Sequence, residues 1–151
     1  GKPNNGLVGV WRRGNTQGAW ELGFNVSIDL TGDLSKALTV LIAAADPVGD
    51  DPALSQAIGR SAFVVVQDIF LTETAKVADV VLPALPYTER EGSYTSGERR
   101  VQRFYPALPP RSVAKPDFAI TAGIAQKMGL PLEGRAAALV MAQMAKTVPV
   151  F

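Results

Sequence analysis

The 151-residue chain predicts an α/β fold, a three-layer parallel sheet with helices on both faces, followed by C-terminal helices. Three observations carry that expectation. Three β-branched apolar runs of strand length, Leu38 to Ala45, Phe63 to Val66 and Asp79 to Pro83, are continuous instead of alternating, which marks strands buried on both faces. Seventeen residues (46 to 62) and twelve (67 to 78) separate them, long enough for the crossovers that parallel strands require. Each gap also carries a helix signal.

In the first gap, Asp51 supplies a cap and Pro52 the first helical position. Ala53, Leu54, Ala57 and Ile58 then recur at helical spacing, and Gly59 is a stop. In the second gap, Thr72 or Thr74 caps a short helix. Upstream, Gly6 to Trp11 predicts another strand, and Asn15 caps a helical turn through Ala19 to Leu22. The Ser, Thr, Gly and Asp content of residues 26 to 35 predicts a loop or crossover. Residues 84 to 116 contain five prolines (Pro86, Pro106, Pro109, Pro110 and Pro116) and predict a long extended excursion.

Two Ala-rich helices follow within residues 117 to 146. The first runs from Asp117 to Met128 and is stopped by Gly129 and Pro131. The second runs from about Glu133 to Lys146, with Ala137, Val140, Met141 and Met144 as a core-facing stripe. The pattern reads as one Rossmann-like domain over residues 1 to 151. It begins Gly-Lys-Pro and ends Val150-Phe151, which predicts a piece excised from a larger protein.

Composition narrows the chemistry. Lys and Arg number 15 against 14 Asp and Glu, a net +1, with 47% apolar residues and neither Cys nor His. Without Cys there is no disulfide, thiolate ligand or thiol nucleophile, and without His the commonest general base and metal ligand are missing. The near-neutral charge argues against a nucleic-acid partner, and the apolar runs fall short of the roughly 18 residues of a membrane helix, arguing against direct membrane insertion. Locally the balance differs. Residues 90 to 115 hold six basic side chains (Arg90, Arg99, Arg100, Arg103, Arg111, Lys115) and two acidic ones (Glu91, Glu98), an excess of 6 − 2 = +4 that suits either a phosphate, nucleotide or acidic partner or a solvated or interdomain loop with internal Glu-Arg pairs.

In open α/β sheets ligands sit beyond the carboxyl ends of the strands. That rule brings Arg12 to Asn15, Asp46 and Pro47, Gln67 and Asp68, and residues 83 to 92 to one edge. Neither G-x-G-x-x-G nor G-x-x-x-x-G-K-S/T occurs in the chain, which removes the main support for a free-standing nucleotide-binding module. Glu89 and Glu91 are paired carboxylates in sequence, but a two-residue spacing in a loop fixes no geometry for acid-base work.

The string from Val66 to Pro83 (VQDIFLTETAKVADVVLP), followed by Glu89, Gly92, Ser93 and the Glu98 to Gln102 run ERRVQ, resembles the molybdopterin oxidoreductase superfamily. The resemblance covers about Leu38 to Gln102. Within the superfamily it looks most like the C-terminal part of the large peripheral-arm subunit of NADH-quinone oxidoreductase, respiratory complex I. Residues Arg13 to Ala19 are similar to an N-x-x-G-A stretch of that complex I component.

The resemblance implies a parallel α/β domain that, in catalytic relatives, helps hold a molybdopterin guanine dinucleotide. Carried over by motif, its positions are Asp46, Pro47, Gln67, Asp68, Glu89, Gly92, Ser93 and Ser96. Relatives favour Gly-x-Asn-Pro where this chain has Ala44-Ala-Asp-Pro47, and Gly-Thr-x-x-Asn where it has Gly92-Ser-Tyr-Thr-Ser96. A methyl at Ala44 obstructs close backbone approach, Asp46 sets a negative charge near any pyrophosphate, and Ser96 lacks the two-headed amide.

The expectation is therefore a relic site without cofactor, in a structural and interaction domain that supports electron transfer from NADH to quinone without binding a redox centre itself. The parent protein would hold its iron-sulfur clusters elsewhere. The partners would be its other domains and the other peripheral-arm subunits of complex I, and its place cytoplasmic, membrane-associated only through the complex. The alternative is the molybdopterin guanine dinucleotide-binding domain of a catalytic molybdenum enzyme such as a formate dehydrogenase or nitrate reductase.

Overall fold

The computed structural model describes residues 10–24, 27–61 and 63–148. The three apolar runs form β1 (Thr39–Ala43), β2 (Phe63–Asp68) and β3 (Val80–Pro83), parallel and in the order β1-β2-β3. Ile42 pairs with Val66, Ala43 with Gln67 and Asp68 with Pro83. The α/β class expected from continuous runs and long gaps is the one observed.

The crossovers carry short helices. α3 (Pro47–Asp50) and α4 (Leu54–Ile58) lie between β1 and β2, and α5 (Glu73–Lys76) between β2 and β3. Leu54 and Ile58 of α4 and Ala75 of α5 close over Ile42, Val64 and Val66 to make the core. Ile58 and Val66 are fully buried, and each such side chain contributes about 1.5–3 kcal/mol relative to exposure. On the other face Leu41, Phe63 and Val80 stay 36–48% exposed. Only the carboxyl end of that face is drawn tight, by a buried Gln67.

Several boundaries differ from the sequence expectation for physical reasons. The helix anticipated from Asp51 and Pro52 is α4, which starts later, at Leu54, after a turn in which Asp51 Oδ1 accepts from Ala53 N–H; ahead of it α3 is a separate turn of helix, capped by Asp46 with Pro47 just inside and ended by Asp51. α4 then stops at Gly59, as read from the sequence. Thr72 caps α5 through Ala75 N–H, while Thr74 is buried. Of the loop or crossover expected over residues 26 to 35, residue 26 lies outside the described residues and the second half is helical. α2 (Leu30–Lys36) forms because the Asp29 carboxylate accepts from Gly32 N–H, and Leu34 packs against the core, so tertiary burial overrides turn-like composition.

α1 (Thr16–Glu21) follows Asn15, yet the Asn15 side chain does not cap it. Its Oδ1 instead accepts from Thr95 N–H at 2.8 Å. Of the strand expected over Gly6 to Trp11, residues 6–9 lie outside the described residues, and Val10 and Trp11 are not in a strand.

The proline-rich segment 84–116 is stapled at its ends, where Leu85 N–H donates to Lys115 O and Lys115 N–H to Pro83 O. Inside it lies an antiparallel hairpin, β4 (Gly92–Thr95) with β5 (Val101–Phe104). α6 (Asp117–Lys127) and α7 (Ala137–Thr147) follow. α7 begins four residues after Glu133 because the Glu133 carboxylate takes the N–H groups of Gly134 and Arg135 into a turn. Its expected core stripe is only partly buried.

Candidate functional site

Two loops leave the carboxyl edge of β1 and β2 side by side. Ala44, one residue past β1, donates its N–H to Gln67 O at 2.9 Å and turns with φ +52°. Two residues on, the Asp46 carboxylate accepts from Thr74 Oγ1 (2.6 Å), Thr74 N–H (2.8 Å) and Gly49 N–H (3.2 Å). The hydroxyl and amide of Thr74 hold the Asp46 carboxyl below the usual carboxylate value. Pro47 occupies the first turn of α3 and offers no donor. The charge at Asp46 is therefore engaged in joining α3 to α5.

Gln67 ends β2 almost wholly buried, 1% exposed. Its Nε2 donates to Asp117 Oδ1 at 2.7 Å, from the first turn of α6. The other oxygen of Asp117 pairs with Arg90 Nη1. That carboxylate settles the orientation of the amide, since a carboxylate accepts only and must face the NH₂ group. Gln67 Oε1 is thereby turned away, and it and Arg90 Nε are buried without a partner among the described residues. A buried orphan of this kind costs about 1–3 kcal/mol.

Asp68 makes an Asx turn, its Oδ1 accepting from Ile69 N–H (2.7 Å) and Phe70 N–H (3.1 Å). The second oxygen takes no hydrogen bond from the described residues. Ile69, Phe70 and Leu71, just beyond, are exposed.

The remaining expected positions belong to other work. Glu89 Oε2 accepts from Arg111 N–H at 3.2 Å, tying two parts of the long excursion. Gly92 is glycine for packing: a Cβ there would lie 2.7 Å from the Phe104 ring. Ser93 pairs in register with Arg103. Ser96 forms the hairpin turn, its N–H donating to Arg100 O and its Oγ accepting from Arg100 N–H. The structure thus brings Asp46, Pro47, Gln67 and Asp68 to one edge and uses Gly92, Ser93 and Ser96 in the hairpin.

Half of the cations in the +4 loop are paired. Arg90 pairs with Asp117, Arg99 with Glu21 and Arg103 with Glu91, leaving Arg100, Arg111 and Lys115 without an ion pair among the described residues. Sequence reasoning placed Arg90 at the edge within residues 83 to 92 but missed Asp117. Asp117 was legible only as a helix start, and nothing local ties it to a glutamine fifty residues upstream.

Two cavities lie elsewhere. One of about 250 Å³ is lined by Trp11, Arg13, Gln17 and Thr95. A groove of about 1060 Å³ runs between α6 and α7, lined by Ala122, Gly123, Leu130, Leu139 and Lys146. No group of three or more metal-ligating side chains occurs among the described residues. No helix among them is long and apolar enough to cross a membrane.

Residues 2–127 match the family described as Molybdopterin oxidoreductase. Among curated relatives, the chain is 43% identical over 114 residues to "F420-dependent formate dehydrogenase 2 subunit alpha" of Methanococcus maripaludis, covering 69% of this chain and 17% of that protein. It is 47% identical over 89 residues to "Putative formate dehydrogenase YrhE" of Bacillus subtilis, covering 59% of this chain and 9% of that one. A Staphylococcus aureus protein, "Putative formate dehydrogenase SAB2186c", matches at 46% over 89 residues, covering 59% of this chain and 9% of that protein. The chain spans about a sixth or less of the length of these relatives. They carry formate dehydrogenase names, not that of NADH-quinone oxidoreductase.

Proposed function

The chain belongs to the molybdopterin oxidoreductase family, and from that premise we propose that it holds the nucleotide end of a molybdopterin guanine dinucleotide in an oxidoreductase of the formate dehydrogenase kind. The observation that carries the reading is the buried acceptor at Gln67 Oε1 and the buried donor at Arg90 Nε, both left without partners on the shared Asp117 carboxylate. Native interiors satisfy such groups, and exceptions call for a ligand or water. The free oxygen of Asp68 adds an acceptor suited to ribose hydroxyls or the N–H edge of guanine.

These residues suit the nucleoside of such a group. Gln67, Asp68 and Arg90 would hold the nucleoside, and Asp117 would keep Gln67 and Arg90 in place. Bound there, the group supplies molybdenum-centred redox chemistry, and this chain supplies binding and orientation. The names of the relatives support the same reading over the complex I expectation.

One observation favours the second reading, a cofactor-free domain as expected for the large peripheral-arm component of complex I. The Ala44 methyl and the ionised Asp46 both stand at the end of β1, where a pyrophosphate would approach. Calorimetric titration of the chain with GDP separates the two. The proposal expects saturable micromolar binding, weakened by Asp68→Asn, which keeps the Asx turn but removes the charge. A folded chain that takes up no GDP at millimolar concentration would leave the cofactor-free reading.

A further inference from the structure

We infer that Ala44 is a specificity-determining residue that limits how tightly the carboxyl edge takes a diphosphate; the inference rests on the nucleotide-binding reading above. Ala44 is exposed and left-handed, φ +52°. In that conformation the Cβ of an L-residue crowds the following carbonyl, and glycine is the residue that adopts it freely.

The fold pins the residue from both sides. Its N–H extends the sheet ladder by one bond to Gln67 O, at 2.9 Å. Two residues later, Asp46 is fastened to Thr74 by two hydrogen bonds and caps α3. Between these anchors the chain has no freedom to relax, so the strained turn is over-determined by its surroundings.

The turn leaves main-chain donors open. The N–H groups of Ala45 and Asp46 have no acceptor among the described residues. Strand ends of parallel sheets present such N–H groups to anionic ligands. For a phosphate oxygen to bond them it must come within about 3 Å of main-chain nitrogen, beside the Ala44 methyl. The uncharged nucleoside makes no such approach. Gln67, in register with Ala43 and carrying the unpartnered Oε1, sits one strand over and serves the nucleoside instead.

The role separates from a merely structural one by comparing two ligands. Glycine at 44 removes the methyl and relaxes the turn. If that only loosened or tightened the fold, GDP and guanosine would respond alike.

The experiment titrates the natural chain and Ala44→Gly with GDP and with guanosine, with circular dichroism confirming that both fold. The expected result is a GDP affinity at least about fivefold higher for Ala44→Gly, with guanosine affinity unchanged. If the natural chain binds GDP and Ala44→Gly binds it no better, the inference is overturned while the nucleotide reading stands. Equal gains for GDP and guanosine overturn it as well. If neither protein binds GDP, both readings fall. Binding by Ala44→Gly alone supports the inference and gives the natural chain the cofactor-free role.

Discussion

At the carboxyl edge of β1 and β2, polar side chains are many and closely hydrogen-bonded, whereas the groove between α6 and α7 is roomy at about 1060 Å³ and lined largely by small or apolar residues such as Ala122, Gly123 and Leu139. The edge grows out of the best-buried part of the molecule. Val66, Gln67 and Thr74 are all at or below 1% exposure. The groove is flanked by α7, which has no buried residue. A binding site needs groups held to a fraction of an ångström, and a buried backing supplies that. The better-anchored region is therefore the one proposed as the binding site.

The contrast breaks or survives first on stability. Ile58→Ala, beneath the edge, is expected to cost about 2–5 kcal/mol by the cavity it leaves, and Met144→Ala in α7 under about 1 kcal/mol, both by urea denaturation. Comparable losses would mean that α7 is as firmly packed as the sheet.

Asp117→Ala comes next. It strands Gln67 Nε2 and Arg90 together, at a cost of about 1–3 kcal/mol, and Asp117→Asn is expected to recover part of it by keeping one acceptor. GDP affinity is expected to fall with Asp117→Ala and remain unchanged for Gln143→Ala beside the groove. A fall for both would erase the distinction.

The smallest effect is acid sensitivity. Thr74 lowers the Asp46 carboxyl below 3.8, and Arg135 holds Glu133 at about 2 against an ordinary 4.5. A depressed folded value means stability present above the unfolded value and lost as pH falls through the folded one. Melting curves are thus expected to shift downward only below about pH 4.5, with Asp46→Asn flattening the part owed to the edge and Glu133→Gln the part owed to the α6–α7 loop. An unchanged slope in Asp46→Asn would remove the carboxylate from the edge network.

What the sequence made legible was local. Continuous runs announced β1, β2 and β3, Thr72 announced the start of α5, and Gly129, with φ +81°, ended α6 where its position implied. α2 escaped because its stabilising partners, the Asp29 cap and the core contact of Leu34, outweigh a turn-like composition. The edge was half legible. Topology placed Asp46, Pro47, Gln67 and Asp68 together, but the inward turn of Asp46 depends on Thr74, 28 residues away, and the orphaned atoms depend on Arg90 and Asp117. The pairing of the +4 loop was half legible too: Arg103 meets Glu91 within the loop, whereas Glu21 and Asp117 answer Arg99 and Arg90 from distant segments.

Amide chemical shifts recorded by NMR during titration of the folded chain with GDP test the central claim most directly. Binding at the carboxyl edge predicts saturable shifts at Ala44 to Asp46 and Gln67 to Phe70, with Gly123, Leu130 and Leu139 of the groove unmoved. Shifts confined to the groove residues, or none at all, would contradict it.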